Sequence, residues 1–363
     1  MTFPLAGGTN AFTAGNLIKN PDLRPEITTE LEIGTDLKLL DARMNVELTY
    51  YNRVTNGQIL AVPVSPGSGS GYYWANAATV ENKGIEALIS YRVIKNENGF
   101  NWTPSVNFTR NRNTVTDLDD AVDRVSLGGL SSIGYYAMIG QPIGVYEGST
   151  YQYSPEGASV VNTQGLPITG AEKVTYGNSQ RNYIMGVKNN FSYKQFSLGV
   201  LFDIRKGGLM YSHTASLLSW TGQSATTTFN DRKPFVVPNS VVEVENTDGT
   251  KSYLENTTPV DPADLHEYHT SDARDAQYVI DKSFTKLREL ALTYSLPKSS
   301  LEKMPFAGVS ISLIGRNLFI WTPSENQFID PEVTTFGNGN QAEYGEFAAN
   351  PTTRSYGFSL KFN

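Results

Sequence analysis

The closing stretch of the chain, residues 353–363, alternates strictly. Tyr356, Phe358, Leu360 and Phe362 share one parity, and Ser355, Gly357, Ser359 and Lys361 share the other. Successive strand residues point to opposite faces, so this segment predicts a strand with one aromatic-apolar face and one small polar face. The same period recurs upstream. Residues 29–40 set Leu31, Ile33, Leu37 and Leu39 against Glu30, Glu32, Asp36 and Lys38. Residues 43–54 set Met44, Val46, Leu48 and Tyr50 against Asn45, Glu47, Thr49 and Tyr51. Further strands are predicted over 83–93, 100–112, 183–194, 196–206, 284–296 and 309–320, which makes nine in all. In the sixth, Leu198, Val200 and Phe202 lie on the apolar side.

The connections carry as much information as the strands. They run short and long in strict alternation, with long loops expected at about 55–82, 113–182, 207–277 and 321–352. Residues 208–222 predict a short helix ending near Trp220. All short turns then fall at one end of the sheet and all long loops at the other. Short periplasmic turns and long extracellular loops characterise outer-membrane barrels. A soluble sandwich also hides an apolar strand face, but its strands are usually about five or six residues long. Strands of about ten or more residues suit a tilted bilayer crossing. The expected fold class is therefore all-β, an antiparallel transmembrane β-barrel over residues 29–363, preceded by an extracellular lead-in over 1–28. The final strand runs outside to inside, which puts the start of the chain on the extracellular side and its end in the periplasm. Bacterial single-chain barrels have even strand numbers, and open sheet edges are not tolerated in hydrocarbon. Nine strands are thus expected to be the C-terminal part of a larger barrel.

Composition sharpens this picture in a few places. Aromatics reach 11% with 20 Tyr and 17 Phe, which suits an interfacial aromatic girdle. A net charge of -7 argues against a nucleic-acid partner. The chain has no cysteine, so disulfides and thiolate metal sites are excluded. Its first residues lack the basic and apolar regions of a signal peptide, so an export signal is expected elsewhere.

Candidate chemistry is sparse. Tyr72, Tyr73 and Trp74 in the first long loop, with Tyr135 and Tyr136 in the second, are candidate cargo contacts, because aromatic faces pack on sugar C–H surfaces. Leu198, Val200, Phe202, Tyr356, Phe358, Leu360 and Phe362 are expected to face lipid. Glu30, Glu32, Asp36, Glu47, Glu86 and Arg92 are expected on a hydrated lumen wall. His266 and His269 have helical spacing for a shared face, but no third metal ligand follows at a recognised spacing. The neighbouring carboxylates Asp261, Asp264, Asp272 and Asp275 suggest at most a loop calcium ion, without EF-hand spacing. No nucleophile elbow, Walker A loop or His-Glu-x-x-His is present, so no enzyme and no cofactor are expected.

Six phrases, taken in order, resemble one family. They are Asn20-Pro21-Asp22-Leu23-Arg24-Pro25-Glu26, Asn82-Lys83-Gly84-Ile85-Glu86, the run from Ser283 to Leu290, Gly315-Arg316-Asn317-Leu318-Phe319, Ile329-Asp330-Pro331-Glu332, and the run from Pro351 to Tyr356. Their order and spacing resemble the C-terminal half of the SusC/RagA family, the TonB-linked outer-membrane transporters of the Bacteroidetes. The resemblance implies a 22-stranded barrel around a plug, a SusD-like surface lipoprotein as partner, and coupling to TonB through an N-terminal part without a counterpart in this sequence. It implies TonB-dependent uptake of oligosaccharides first and peptides second. Two other readings of the residues stay open here: a soluble or cell-surface β-rich carbohydrate-binding protein, and a passive porin.

Overall fold

The computed structural model describes residues 2–4, 10–12 and 16–363, except 119–121, 303, 304, 327 and 338. Of the expected lead-in over 1–28, residues 1, 5–9 and 13–15 lie outside the described residues. Nine antiparallel strands in simple chain order form one sheet, to which Leu17–Ile18 adds a short tenth strand in parallel. They are β1 (Ile27–Leu39), β2 (Met44–Pro63), β3 (Tyr72–Tyr91), β4 (Phe100–Leu118), β5 (Tyr183–Tyr193), β6 (Phe196–Lys206), β7 (Phe284–Ser295), β8 (Val309–Trp321) and β9 (Ser355–Phe362). Each pairs with its chain neighbour, and β1 does not pair with β9, so the sheet is not closed.

Tight turns close one end of the sheet. Leu40, Asp41 and Ala42 all hold φ between 54° and 57°, which reverses the chain from β1 to β2. Lys194, at φ 52°, starts the two-residue turn from β5 to β6. Positive φ at the head of such a turn matches the twist of the flanking strands.

The long connections differ from their expected form. Residues 55–82, expected as a loop, are mostly strand: β2 and β3 each run 20 residues and meet at a small tip around Pro66–Ser68. A register shift near Gly57, whose φ is +66°, marks where the hairpin leaves the common sheet. Residues 113–182 contain a four-stranded sheet built from Arg124–Leu130, Ile133–Met138, Val145–Tyr151 and Thr169–Asn178. The third long connection carries helix α1 (His213–Trp220), ending at the tryptophan the sequence marks, and helix α2 (Leu265–Thr270). Short strands from the third and last connections, Leu209–Ser212 and Gly345–Glu346, pair in parallel and tie two distant loops together.

The larger buried core lies between these loops, the four-stranded sheet among them, and the far ends of β2 to β4. Val80 on β3 and Val115 on β4 pack there with Val125, Ile133 and Ala137 of the four-stranded sheet. Tyr135, Tyr146, Tyr211 and Tyr344 complete it, each no more than 1% exposed. The Tyr146 hydroxyl donates to the Tyr344 carbonyl at 2.6 Å, and the Tyr344 hydroxyl donates to the Ile133 carbonyl at 3.0 Å. A buried tyrosine that satisfies its hydroxyl adds apolar area without an orphaned polar group. Buried Glu346 accepts from the Ser212 hydroxyl at 2.7 Å and from the Thr214 amide at 3.0 Å, fixing the start of α1.

Candidate functional site

The sheet has two chemically distinct faces. Register places Leu198 beside Leu292, Leu292 beside Leu313, and Leu313 beside Phe358. Val200, Phe202, Tyr356, Leu360 and Phe362 follow the same parity, so all seven apolar positions singled out in the sequence share this face. Phe358 is 74% exposed and Leu313 61%. Trp102 and Phe191, stacked with ring centroids 6.1 Å apart, continue the face across β4 and β5. Trp102 Nε1 donates to Oδ1 of Asn189, a polar residue on the same face, at 3.0 Å.

The opposite face is polar. Asp36 pairs with Glu47, Glu30 with Arg53, and Glu86 with Thr49. Tyr51 lies across Gly84, where an added Cβ would meet its ring at 2.3 Å. That clearance lets the Tyr51 hydroxyl donate to Asn111 Oδ1 at 3.1 Å, and Asn111 in turn donates to Asn82 Oδ1 at 3.0 Å. The glycine of the Asn82–Glu86 phrase is thus a site of close approach.

Four of the other phrases converge on one ion-pair knot on this polar face. Register shifts on both strands, between Leu287 and Glu289 and around Asn317, bulge the β7–β8 pair. Asn317, at φ 51°, accepts from Arg288 Nη1 at 3.2 Å. The bulge adds Arg288 to the polar side already holding Lys286 and Glu289. Lys286, 1% exposed, donates through Nζ to Asp330 Oδ2 at 2.7 Å, Glu332 Oε2 at 2.6 Å and Thr352 Oγ1 at 3.2 Å. Arg288 donates to Asp203 Oδ2 at 2.6 Å and also to Glu332. Arg205 reaches Glu332 Oε1 at 3.0 Å. Phe284, 3% exposed, carries the cationic groups of Arg181, Arg205, Lys286 and Arg288 within 5.1–5.8 Å of its ring centre. Burial pushes the Glu332 carboxyl up, but its bonds to Arg288 and Lys286 more than reverse this and hold it at about 2. Burial likewise pushes the nearby Lys282 ammonium down to about 8, against the pull of Glu343. The knot fastens the last long loop to the wall of the sheet.

The five candidate cargo aromatics separate. Tyr72 and Trp74 lie on β3, not in a loop, and line a cleft of about 720 Å³ with Leu17, Leu60, Leu127 and Phe336. Tyr73, on the other face of the strand, packs against the buried core. Tyr135 does not suit a cargo contact: it is 1% exposed, and its hydroxyl is paired with Ser179 Oγ at 2.7 Å. Tyr136 is half-buried beneath the Arg124 guanidinium, 4.9 Å from its ring centre. Nothing in the alternation of residues 124–138 distinguishes the buried ring from its neighbour, because both lie on a strand that the sequence reads as loop.

The histidines also separate. His266 stands edge-on to Trp220 at 5.6 Å, while His269 is buried. Burial, with Arg274 and Arg232 nearby, lowers His269 to about 4. Asp261 caps the turn after it by accepting from the Ala263 amide at 2.8 Å, and Asp275 accepts from the Ser132 hydroxyl at 2.9 Å. Among the described residues, no group of three or more His, Asp or Glu side chains is placed to hold a metal ion.

Comparison with known proteins agrees with this architecture. A family model described as TonB dependent receptor-like, beta-barrel matches residues 2–165. TonB-dependent receptor P3 of Formosa agariphila is 27% identical across 94% of this chain and 35% of its own length. This chain is thus similar over nearly its whole length to TonB-dependent receptors, and its first part matches their barrel. TonB-dependent receptor P26 of the same organism is 26% identical over the same shares of both chains. The chain thus spans about a third of the length of these relatives. Among solved structures, the RagAB peptide transporter matches with a TM-score of 0.68 and 19% identity, over all of this chain and 38% of that one. The RagAB peptide importer in its closed-closed state matches with a TM-score of 0.70 and 18% identity, over all of this chain and 38% of that one. These likenesses carry the barrel fold, and the unclosed edge of the sheet agrees with a portion of a larger wall.

Proposed function

We propose that this chain forms part of the wall and outer vestibule of a SusC-like importer that moves nutrients across the outer membrane in a TonB-dependent step. The observation that carries this reading is the two-faced sheet, with all its long connections at one end and the last of them knotted onto the polar face. The apolar face meets lipid and the polar face lines the lumen. The loops lie outside the cell and the tight turns in the periplasm. The long loops meet a SusD-like surface lipoprotein, and TonB acts on a part of the receptor beyond this chain.

The cargo proposed is an oligosaccharide, held in part by the Tyr72 and Trp74 cleft, whose aromatic and apolar lining suits sugar C–H faces. Peptides are the second reading, supported by likeness to structures titled as a peptide transporter. The test is uptake by cells carrying the intact receptor, with oligosaccharide or peptide as sole source, with and without working TonB. Uptake that persists without TonB would point to a passive porin. A chain that folds as a soluble monomer without detergent would point to a carbohydrate-binding protein.

A further inference from the structure

The apolar face ends abruptly at the loop side of the sheet. Its upper row runs Ala87, Phe108, Met185 and Ile204 across β3 to β6. In the next row Arg110 sits beside Ile85, and Lys206 beside Tyr183. One row further, Arg112 sits beside Lys83. All four cations follow the parity of the apolar stripe and all are exposed. Lys83 is paired with Glu81 at 2.8 Å. Arg112 reaches only the neutral Asn182, with both terminal nitrogens at 3.3 Å from Oδ1. Arg110 and Lys206 have no side-chain partner among the described residues. Three cations without a carboxylate thus stand in two adjacent rows directly above the stripe, with Tyr183 among them.

We propose that Arg110, Arg112 and Lys206 bind the phosphate groups of lipid headgroups in the outer leaflet. This rests on the reading that the apolar face meets lipid. If it does, these rows stand at headgroup depth, where a tyrosine ring is at home and long basic side chains extend from the apolar layer to the polar one. Basic residues at that depth gain from anionic headgroups, and guanidinium groups fit phosphate oxygens in pairs. Among the described residues no loop carboxylate forms an ion pair with any of the three. An acidic patch on a neighbouring protein is the competing occupant, but it would have to be embedded at the membrane surface.

The test uses the intact receptor containing this chain, in nanodiscs holding equal amounts of lipid A and its dephosphorylated form, with bound lipid read by native mass spectrometry. The expected result is selective retention of the phosphorylated lipid, weakened about a hundredfold in the triple variant R110Q/R112Q/K206Q. Lys188→Gln, an exposed cation on the polar face, should leave retention unchanged. Retention that survives the triple variant, or that falls equally with Lys188→Gln, overturns the proposal, as does displacement of the lipid by inorganic phosphate alone. Leu198→Arg separates the underlying reading: if it does not impair membrane assembly, the lipid-facing assignment fails. If it does impair assembly while the triple variant keeps its lipid, only the headgroup site fails.

Discussion

Lys286 Nζ lies 2.7 Å from Asp330 Oδ2, joining a strand of the wall to a loop 44 residues further along the chain. Both groups are almost wholly enclosed, with side-chain exposures of 2% and 7%. Removing one partner strands a buried charge, which costs about 3–5 kcal/mol. Lys286→Met in the intact receptor should therefore lower the temperature at which the barrel unfolds on gels. The double variant K286M/D330L should be less destabilised than the sum of the single changes. Strict additivity would argue against direct coupling.

The same knot predicts a pH response. The Glu332 carboxyl is held at about 2, below its ordinary value, so its contribution is fully present above the ordinary carboxylate range. That contribution is lost as pH falls toward 2, because the folded form must then take up a proton. Protease cleavage within residues 322–354 should rise across that window in the wild type. Glu332→Gln should show raised cleavage already at neutral pH and a flatter response to acid.

Faces of the wall are separable by a single step along the chain. An arginine at a midplane lipid position costs about 2–4 kcal/mol, and much less on the lumen side. Leu198→Arg should reduce the assembled fraction in outer-membrane preparations, and Ser197→Arg should not. Equal losses would contradict the assignment of the faces.

Two tyrosine-rich positions should behave in opposite ways. Trp74→Ala removes one wall of the cleft and should weaken cargo binding about tenfold with little effect on melting. Tyr135→Phe deletes only the hydroxyl that meets Ser179 and should cost about 1 kcal/mol of stability. Cargo binding should be unchanged in that variant, as calorimetry on the purified receptor would reveal.

Legibility in the sequence followed the physics of each part. The nine wall strands could be read where they cross the common sheet, because there one face is mostly apolar and the other mostly polar, so period two survives. The 55–82 hairpin was hidden because Pro63, Pro66 and its glycines read as loop, and because its strands leave the sheet and change surroundings on both faces. The four-stranded loop sheet was hidden for a related reason, since Tyr135 and Tyr146 pack on each other from different strands at 5.1 Å. Only the fold brings them together. The phrases around Lys286, Arg316, Asp330 and Thr352 were visible as phrases, but their shared purpose was not. They are tens of residues apart, and each contributes one or two members of a single charge cluster.

The knot also has a consequence in time. Two of its anions, Asp330 and Glu332, precede β9, Thr352 stands just before that strand, and the third anion, Asp203, lies with the cations on β6 and β7. In any state where the last loop is not folded back, Lys286 therefore lacks both its carboxylates and Arg288 keeps only Asp203. Until the last loop folds back, that patch of the polar face is a wet, net-positive surface. Once β9 is in place it becomes neutral and dry, so closure of the final hairpin registers as the disappearance of a charge.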